Sequence, residues 1–145
     1  MARVRRRWSI GFAIWAVLSI VRPIPAMAQE APASPSRLAV IWSSADPDVA
    51  KRVCFMYTHA AKKQKWFDEV TLVVWGPSAR LLADDKDLQA EVNAMAADGV
   101  TVVACQACAD SYGVTDQLRR LGLEVKYMGK PLTDMLKDGR KILTI

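Results

Sequence analysis

The sequence predicts an α/β fold of three layers, in which a five-stranded, mainly parallel sheet carries helices on both faces. Two observations favour this fold class. Five short runs rich in apolar and β-branched residues recur at regular spacing after residue 36. The first four runs are each followed by a turn signal and then by residues with helical periodicity, which is typical of successive βαβ units. Right-handed crossovers make such strands parallel and bring their carboxyl ends to one edge of the sheet.

The first unit begins with the run RLAVIWS, which predicts a strand at 37–43. Asp46 and Pro47 follow as an N-cap and a first-turn proline, so a helix is expected over 47–64. Apolar residues at helical spacing predict the core-facing side of this helix: Val49, Val53, Met56, Tyr57 and Ala60.

The second unit begins with the run VTLVVW, which predicts a strand at 70–75. This run is nearly continuous in apolar residues, as expected of a strand that is covered on both faces. Gly76 and Pro77 mark the point where the next helix should begin. A further helix is expected over 86–97, and Gly99 ends it.

The last part of the chain continues the alternation of short strands and short helices. Strands are predicted at 100–104, 123–128 and 141–145. Helical segments are predicted at 106–112, at 115–121, and from Pro131 to a stop at Gly139.

The first 28 residues have the three parts of an export signal in order: four arginines within residues 3–7, an uncharged run over 8–21, and small residues up to Ala28. A membrane-spanning helix needs roughly 20 apolar residues, so cleavage after Ala28 is expected in place of an anchor. The run RRRWSI also resembles a twin-arginine signal, and both export routes stay open. We expect a flexible leader at 29–36 and a single domain at 37–145.

The charge balance argues against nucleic acid as a partner. Residues 1–28 contain five of the twenty basic residues and none of the fifteen acidic ones, so the remainder has no net charge. The basic character of the full chain therefore belongs to the export signal and indicates neither a nucleic-acid site nor an anionic membrane surface. A periplasmic or secreted protein without a stable membrane span is expected.

Two of the three cysteines, Cys105 and Cys108, lie three positions apart at the end of the third predicted strand. Cys105 directly precedes a helix, where free N–H groups and the helix dipole stabilise a thiolate. Cys108 returns to the same side of that helix one turn later. The pair fits a nucleophile with a resolving thiol; the alternative is that both cysteines pack as small apolar residues between helix and sheet.

A metal site is not expected, because zinc needs three or four ligands and the sequence offers two neighbouring cysteines. Cys54 borders the apolar side of the first helix and is expected to be buried and unreactive. His59 lies on the side away from that stripe and is expected to be a solvated or interface residue. No cofactor is expected.

The carboxyl ends of the strands should also gather a pocket for a ligand or partner. Its candidate residues are Ser43, Trp75, Gly76, Pro77, Ser78 and Tyr127. The segment 76–78 has two interpretations. It could present N–H groups and a hydroxyl to an anion or to a thiolate-bound sulfur, or it could simply turn a strand into a helix.

The chain resembles the DsrE family of small sulfur-relay proteins in the stretches RLAVIWSS, TLVVWGPSARLLA, VVACQACADSYGV and LGLEVKYMGKPLTDMLKDGRKILTI. In sulfur-transferring members, the active cysteine ends a strand eight residues before a glycine that precedes an aliphatic residue. Here Cys105 stands eight residues before Gly113, and Val114 follows. The resemblance thus implies that Cys105 bears a persulfide. It also implies a five-stranded parallel sheet, a homotrimer or hexamer, and no metal or organic cofactor.

The second cysteine suggests turnover of sulfur in place of storage. A persulfide on Cys105 could be attacked by Cys108, with release of sulfide and closure of a disulfide, unless the fold keeps Cys108 out of reach. We therefore expect an exported protein that handles sulfane sulfur or thiols, with a small sulfur donor or a partner protein thiol as its reactant. The alternative is a non-catalytic oligomeric module that binds a small ligand or a partner at the strand ends.

Overall fold

The computed structural model describes residues 35–145, so the predicted signal peptide and most of the predicted leader lie outside the described residues. The strands are β1 (Arg37–Trp42), β2 (Glu69–Val74), β3 (Thr101–Cys105), β4 (Glu124–Lys126) and β5 (Lys141–Thr144). The helices are α1 (Pro47–Val49), α2 (Met56–Lys63), α3 (Ser78–Asp84), α4 (Lys86–Ala97), α5 (Gln106–Tyr112), α6 (Thr115–Arg120) and α7 (Gly129–Lys137). A π-helical segment, Ala50–Phe55, joins α1 to α2.

The five strands form one parallel sheet in the order β4-β3-β2-β1-β5. The predicted α/β fold class is thereby confirmed. Strands β1 and β2 pair from Arg37 opposite Glu69 to Trp42 opposite Val74. Strand β3 lies next to β2 and ends with Cys105 opposite Lys126 of β4. The carboxyl ends of all five strands therefore lie along one edge of the sheet, as predicted for right-handed crossovers.

Hydrophobic packing is unequal on the two faces of the sheet. Alternate residues of β1 and β2, such as Trp42 and Leu72, join a large buried cluster with the helices of one face. The other face has a smaller buried cluster, packed against α7: Ile41, Val73, Val103, Cys105 and Met128. This smaller cluster contains Cys105, one of the two neighbouring cysteines, and Cys108 packs against it.

The prediction of the core-facing side of the first helix was wrong. Val53, Met56 and Tyr57 are 48 %, 65 % and 36 % exposed. The buried side is formed instead by Ala50, Cys54, Phe55, Thr58 and Ala61. Both sets have helical spacing, and most of the second set are small side chains that let the helix approach the sheet closely. The larger apolar side chains are left on the outer surface.

The helices among the described residues are all too short or too polar to cross a membrane.

Candidate thiol site

Cys105 occupies the junction between β3 and α5. It is the last residue of the strand and the N-cap of the helix, with extended backbone angles. Its side chain is only 3 % exposed and packs in the smaller cluster beside Val103 and Met128. The sulfur therefore lies on the α7 face of the sheet, near the carboxyl end of β3, and is surrounded mainly by apolar groups.

Cys108 lies one turn further along, in the first turn of α5. It is half-buried and contacts both hydrophobic clusters. Cys105 lies in the smaller of these clusters, so the two cysteines pack at the same edge of the sheet. All three cysteines of the chain are free thiols. The fold thus places the two thiols close together, and the backbone N–H of Gly76 acts on the more exposed of them.

The pKa of the Cys108 thiol depends on burial and on two neighbouring groups, Cys105 and Gly76. Burial raises the pKa of the Cys108 thiol, and the hydrogen bond to Cys105 and the negative charge that Cys105 develops raise it further. The Gly76 N–H acts in the opposite direction, because it stabilises the thiolate. The net effect of these groups is that the pKa of the Cys108 thiol lies above its ordinary value.

The turn after β2 holds Gly76 in position. Gly76 has a φ of 66°, which favours glycine. The hydroxyl of Ser78 is buried; it donates to the Trp42 carbonyl at 2.6 Å and accepts from the Trp75 N–H at 3.0 Å. Since both of its roles are filled by the backbone of β1 and of the turn, Ser78 fixes the turn and does not present its hydroxyl to a ligand. Pro77 lies exposed between these two residues.

The other predicted pocket residues are not all close to the thiols. Trp75 is half-buried and packs against the cluster that contains Cys105. Tyr127 follows the neighbouring strand β4 and is 65 % exposed. Ser43 lies at the end of β1, two strands away from β3, and its N–H and hydroxyl both donate to the Ile145 carbonyl, at 2.7 Å and 3.1 Å.

Two residues near the thiols were missed by the sequence analysis. The Arg80 guanidinium carbon lies 5.4 Å from the centre of the Tyr112 ring. Tyr112 follows Cys108 by four residues on α5, so the i, i+4 rule would have predicted that it lies about one turn from this thiol. Arg80 lies on α3 and reaches the Tyr112 ring through the packing of α3 against α5, for which the local sequence has no signal. They add a positive charge and an aromatic ring to this edge.

Cys54 and His59 have no part in this site. Cys54 is fully buried, and burial raises the pKa of its thiol to about 12, so this thiol is unreactive at neutral pH. His59 contacts Asp98 at 2.6 Å, in a groove of about 580 Å³ between α2 and α4. Within residues 35–145, no three His, Cys, Asp or Glu side chains are grouped so that they could hold a metal ion.

Comparisons with known proteins agree with this fold. A conserved protein of unknown function, BT1422, from Bacteroides thetaiotaomicron is 36% identical, with a TM-score of 0.73, and the match covers 76% of this chain and 95% of that one. The ychN protein from E. coli and a protein of unknown function, MTH1491, from Methanobacterium thermoautotrophicum are each 16% identical, with TM-scores of 0.61 and 0.60. These two matches each cover 76% of this chain and 99% of the other.

No curated protein matches the chain. Residues 36–145, which include the whole sheet and both neighbouring thiols, match the DsrE/DsrF-like family. The chain therefore belongs to the DsrE/DsrF-like family.

Proposed function

We propose that this protein is an exported member of its family that handles sulfane sulfur or thiols through the Cys105–Cys108 pair. One observation carries the proposal: Cys108 lies one helical turn after Cys105 and packs against the buried cluster that contains Cys105. A sulfur atom bound to either thiol is therefore expected to be within reach of the other. Two neighbouring thiols at one edge of the domain can act as a redox pair.

The chemistry has two steps. In the first, a thiolate of the pair attacks the S–S bond of a persulfide or polysulfide donor, and a persulfide forms on the cysteine while the rest of the donor leaves as a thiolate or a shorter polysulfide. In the second, the other thiolate attacks the cysteine sulfur of that persulfide, the S–S bond breaks and hydrosulfide leaves. The two cysteines are oxidised to a disulfide and the sulfane sulfur is reduced to sulfide. A dithiol of a partner protein restores the pair.

This arrangement favours turnover over storage. A carrier must protect its persulfide from nearby thiols, whereas here the second thiol lies one helical turn from the first and packs against the same cluster. Trp75 packs against the same cluster as Cys108. The surroundings of the pair are therefore mostly apolar, which suits a small, poorly hydrated sulfur species.

Export of the protein completes the proposal. The pattern of residues 1–28 supports cleavage after Ala28 and delivery to the periplasm or the medium. Disulfides persist in such oxidising compartments, so the oxidised pair is the resting state there. The mass of the protein recovered from the cell envelope tests this step, since cleavage leaves Gln29 as the first residue.

Assembly with further copies of the chain is also part of the proposal. Large apolar side chains are exposed at Val53, Met56, Tyr57 and Trp66, and the rings of Tyr57 and Trp66 lie 6.0 Å apart. Such patches are typical of interfaces. A homotrimer or hexamer, as the family resemblance implies, is expected in light scattering, and a monomer would contradict it.

The second candidate is a non-catalytic oligomeric module that binds a small ligand or a partner. It is favoured by the burial of Cys105 among apolar groups and by the raised pKa of Cys108, since both features lower reactivity. Reactivity separates the two candidates. If iodoacetamide labels neither Cys105 nor Cys108 faster than it labels the buried Cys54, the module is the better description.

The decisive experiment treats the reduced protein with polysulfide and weighs the peptide that contains both cysteines. We expect the wild type to lose two hydrogens and to release sulfide. In Cys108→Ser or Cys105→Ser, the remaining thiol of the pair is expected to keep any added sulfur, because no second thiol can displace it. Cys54→Ser is the matched control and should behave as the wild type. An unchanged peptide mass in the wild type would refute the proposal.

A further inference from the structure

The two thiols of the pair differ in their access to solvent. Cys105 is 3 % exposed and belongs to the buried cluster beneath the sheet edge. Cys108 is half-buried and faces the turn at Gly76. Thiol exchange requires the incoming sulfur to approach along the axis of the bond that breaks, so access decides which sulfur a large reactant can reach.

On the basis of the proposed function, we infer that Cys108 is the sulfur that exchanges with external donors and partner thiols, and that Cys105 is the resolving thiol. This assignment reverses the roles that the family resemblance implies for the two positions. It follows from which sulfur the fold leaves accessible.

The Gly76 N–H supports this order of events. It acts to lower the pKa of the Cys108 thiol, so it favours negative charge on that sulfur during attack and departure. Cys108 therefore combines partial access to solvent with a neighbouring backbone donor, whereas Cys105 is buried.

The forward reaction then begins at the more accessible sulfur, Cys108, and ends with attack by the buried Cys105. The Cys108 thiolate attacks a sulfane-sulfur donor, an S–S bond forms at Cys108 and the rest of the donor leaves with the electron pair. Cys105 next attacks the Cys108 sulfur, its proton passes to the departing hydrosulfide, and the disulfide closes. In this order, hydrosulfide leaves from the exposed sulfur. The opposite order would release hydrosulfide from Cys105 into an apolar cluster.

The return reaction uses the same sulfur. A partner thiolate attacks Cys108 of the disulfide, and Cys105 leaves as a thiolate that then takes up a proton. The mixed disulfide between the partner and Cys108 is resolved by a second thiol of the partner, which frees Cys108. The two electrons that reduce the pair come from the partner dithiol, which is oxidised to a disulfide.

Glutathione disulfide with the single variants tests the inference, with the peptide mass as the readout. We expect Cys105→Ser to form a glutathione adduct on Cys108, and Cys108→Ser to react at Cys105 at least about tenfold more slowly, because access limits exchange. Faster or equal reaction of Cys108→Ser would overturn the inference.

A measurement on the unaltered protein guards against misfolding of the variants. The reduced wild type is treated with less than one equivalent of iodoacetamide, and the label is located by peptide mass. Label on Cys108 supports the inference, and label on Cys105 overturns it. If Cys105 is labelled and polysulfide still closes the disulfide, only the order of the thiols is wrong. If neither thiol reacts and no disulfide forms, the proposed function fails as well.

Discussion

Replacing Gly76 by alanine tests whether the turn after β2 supports the reactivity of Cys108. Gly76 has a φ of 66°, and a Cβ atom built there meets no other atom within 4 Å. The cost of Gly76→Ala is therefore at most that of the left-handed backbone, about 1–2 kcal/mol. The turn is expected to relieve part of this strain by rotating, and the N–H of residue 76 then moves away from the Cys108 sulfur.

The expected loss of reactivity follows from that hydrogen bond. A hydrogen bond to a charged group contributes about 1.5–3 kcal/mol when buried. Because Cys108 is half-buried, water replaces part of this interaction, and the Gly76 N–H then stabilises the thiolate by about 0.5–1.4 kcal/mol. Alkylation of Cys108 at fixed pH should therefore slow by about two- to tenfold.

Gly122→Ala provides the matched control. Gly122 has a φ of 82°, has open space around it, and lies in the turn before β4, away from the Gly76 turn. Its backbone cost is the same, but no cysteine depends on its N–H. Unfolding in urea should show similar destabilisation of both variants, while iodoacetamide labelling should slow in Gly76→Ala alone. Equal labelling rates in the two variants would refute the role assigned to the turn.

Three further predictions concern stability and substrate charge. Ser78→Ala removes a buried hydroxyl that bridges two backbone groups and should cost about 1–3 kcal/mol in urea unfolding; Ser111→Ala, which removes an exposed hydroxyl bonded within its own helix, should cost less than about 0.5 kcal/mol. Burial raises the pKa of Cys54 from 9.0 to about 12, so the folded chain keeps a proton that the unfolded chain loses as the pH rises through 9. The stability of the wild type relative to Cys54→Ala should therefore be fully present below about pH 8 and should fall by about 2 kcal/mol between pH 8 and 10.5, whereas a pH-independent difference would contradict a buried thiol. Arg80→Ala should slow the reaction of Cys108 with an anionic disulfide reagent by about two- to fivefold, as expected of an exposed charge pair, and should leave a neutral reagent unaffected.

The positions of the elements were predictable because local signals set them. Gly and Pro residues follow the strands and end the helices, and Asp46 caps the first helix as predicted, with its side chain accepting from two N–H groups. Strand β4 is shorter than predicted, at Glu124–Lys126. Its limits depend on tertiary pairing, since it is an edge strand that meets only the last three residues of β3.

The thiol site was predictable in its location and not in its detail. The spacing of Cys105 and Cys108 after a β-branched run was enough to place them at a strand end. Their relative exposure depends on Val73 and Met128, which come from distant parts of the chain. The role of Ser78 depends on the carbonyl of a neighbouring strand. Neither contact has a signal in the local sequence.

The outward large apolar residues of the first helix illustrate the same limit. Two sets of residues on this helix have helical spacing, and periodicity alone cannot choose between them. The set with small side chains, such as Ala50 and Cys54, is the buried one, because small side chains let the helix lie close to the sheet. The set that contains Met56 and Tyr57 is exposed, and this exposed apolar surface is the reason for proposing an oligomer.

The position of Cys108 determines what kind of partner the protein needs. If the protein is exported as proposed, we expect the pair to rest as a disulfide, so each cycle would begin with a reductant and not with a sulfur donor. The reductant would have to reach Cys108, which is half-buried on the helix that ends at Tyr112. Because this sulfur is only partly exposed, we expect a partner to present its thiol on a segment narrow enough to approach it.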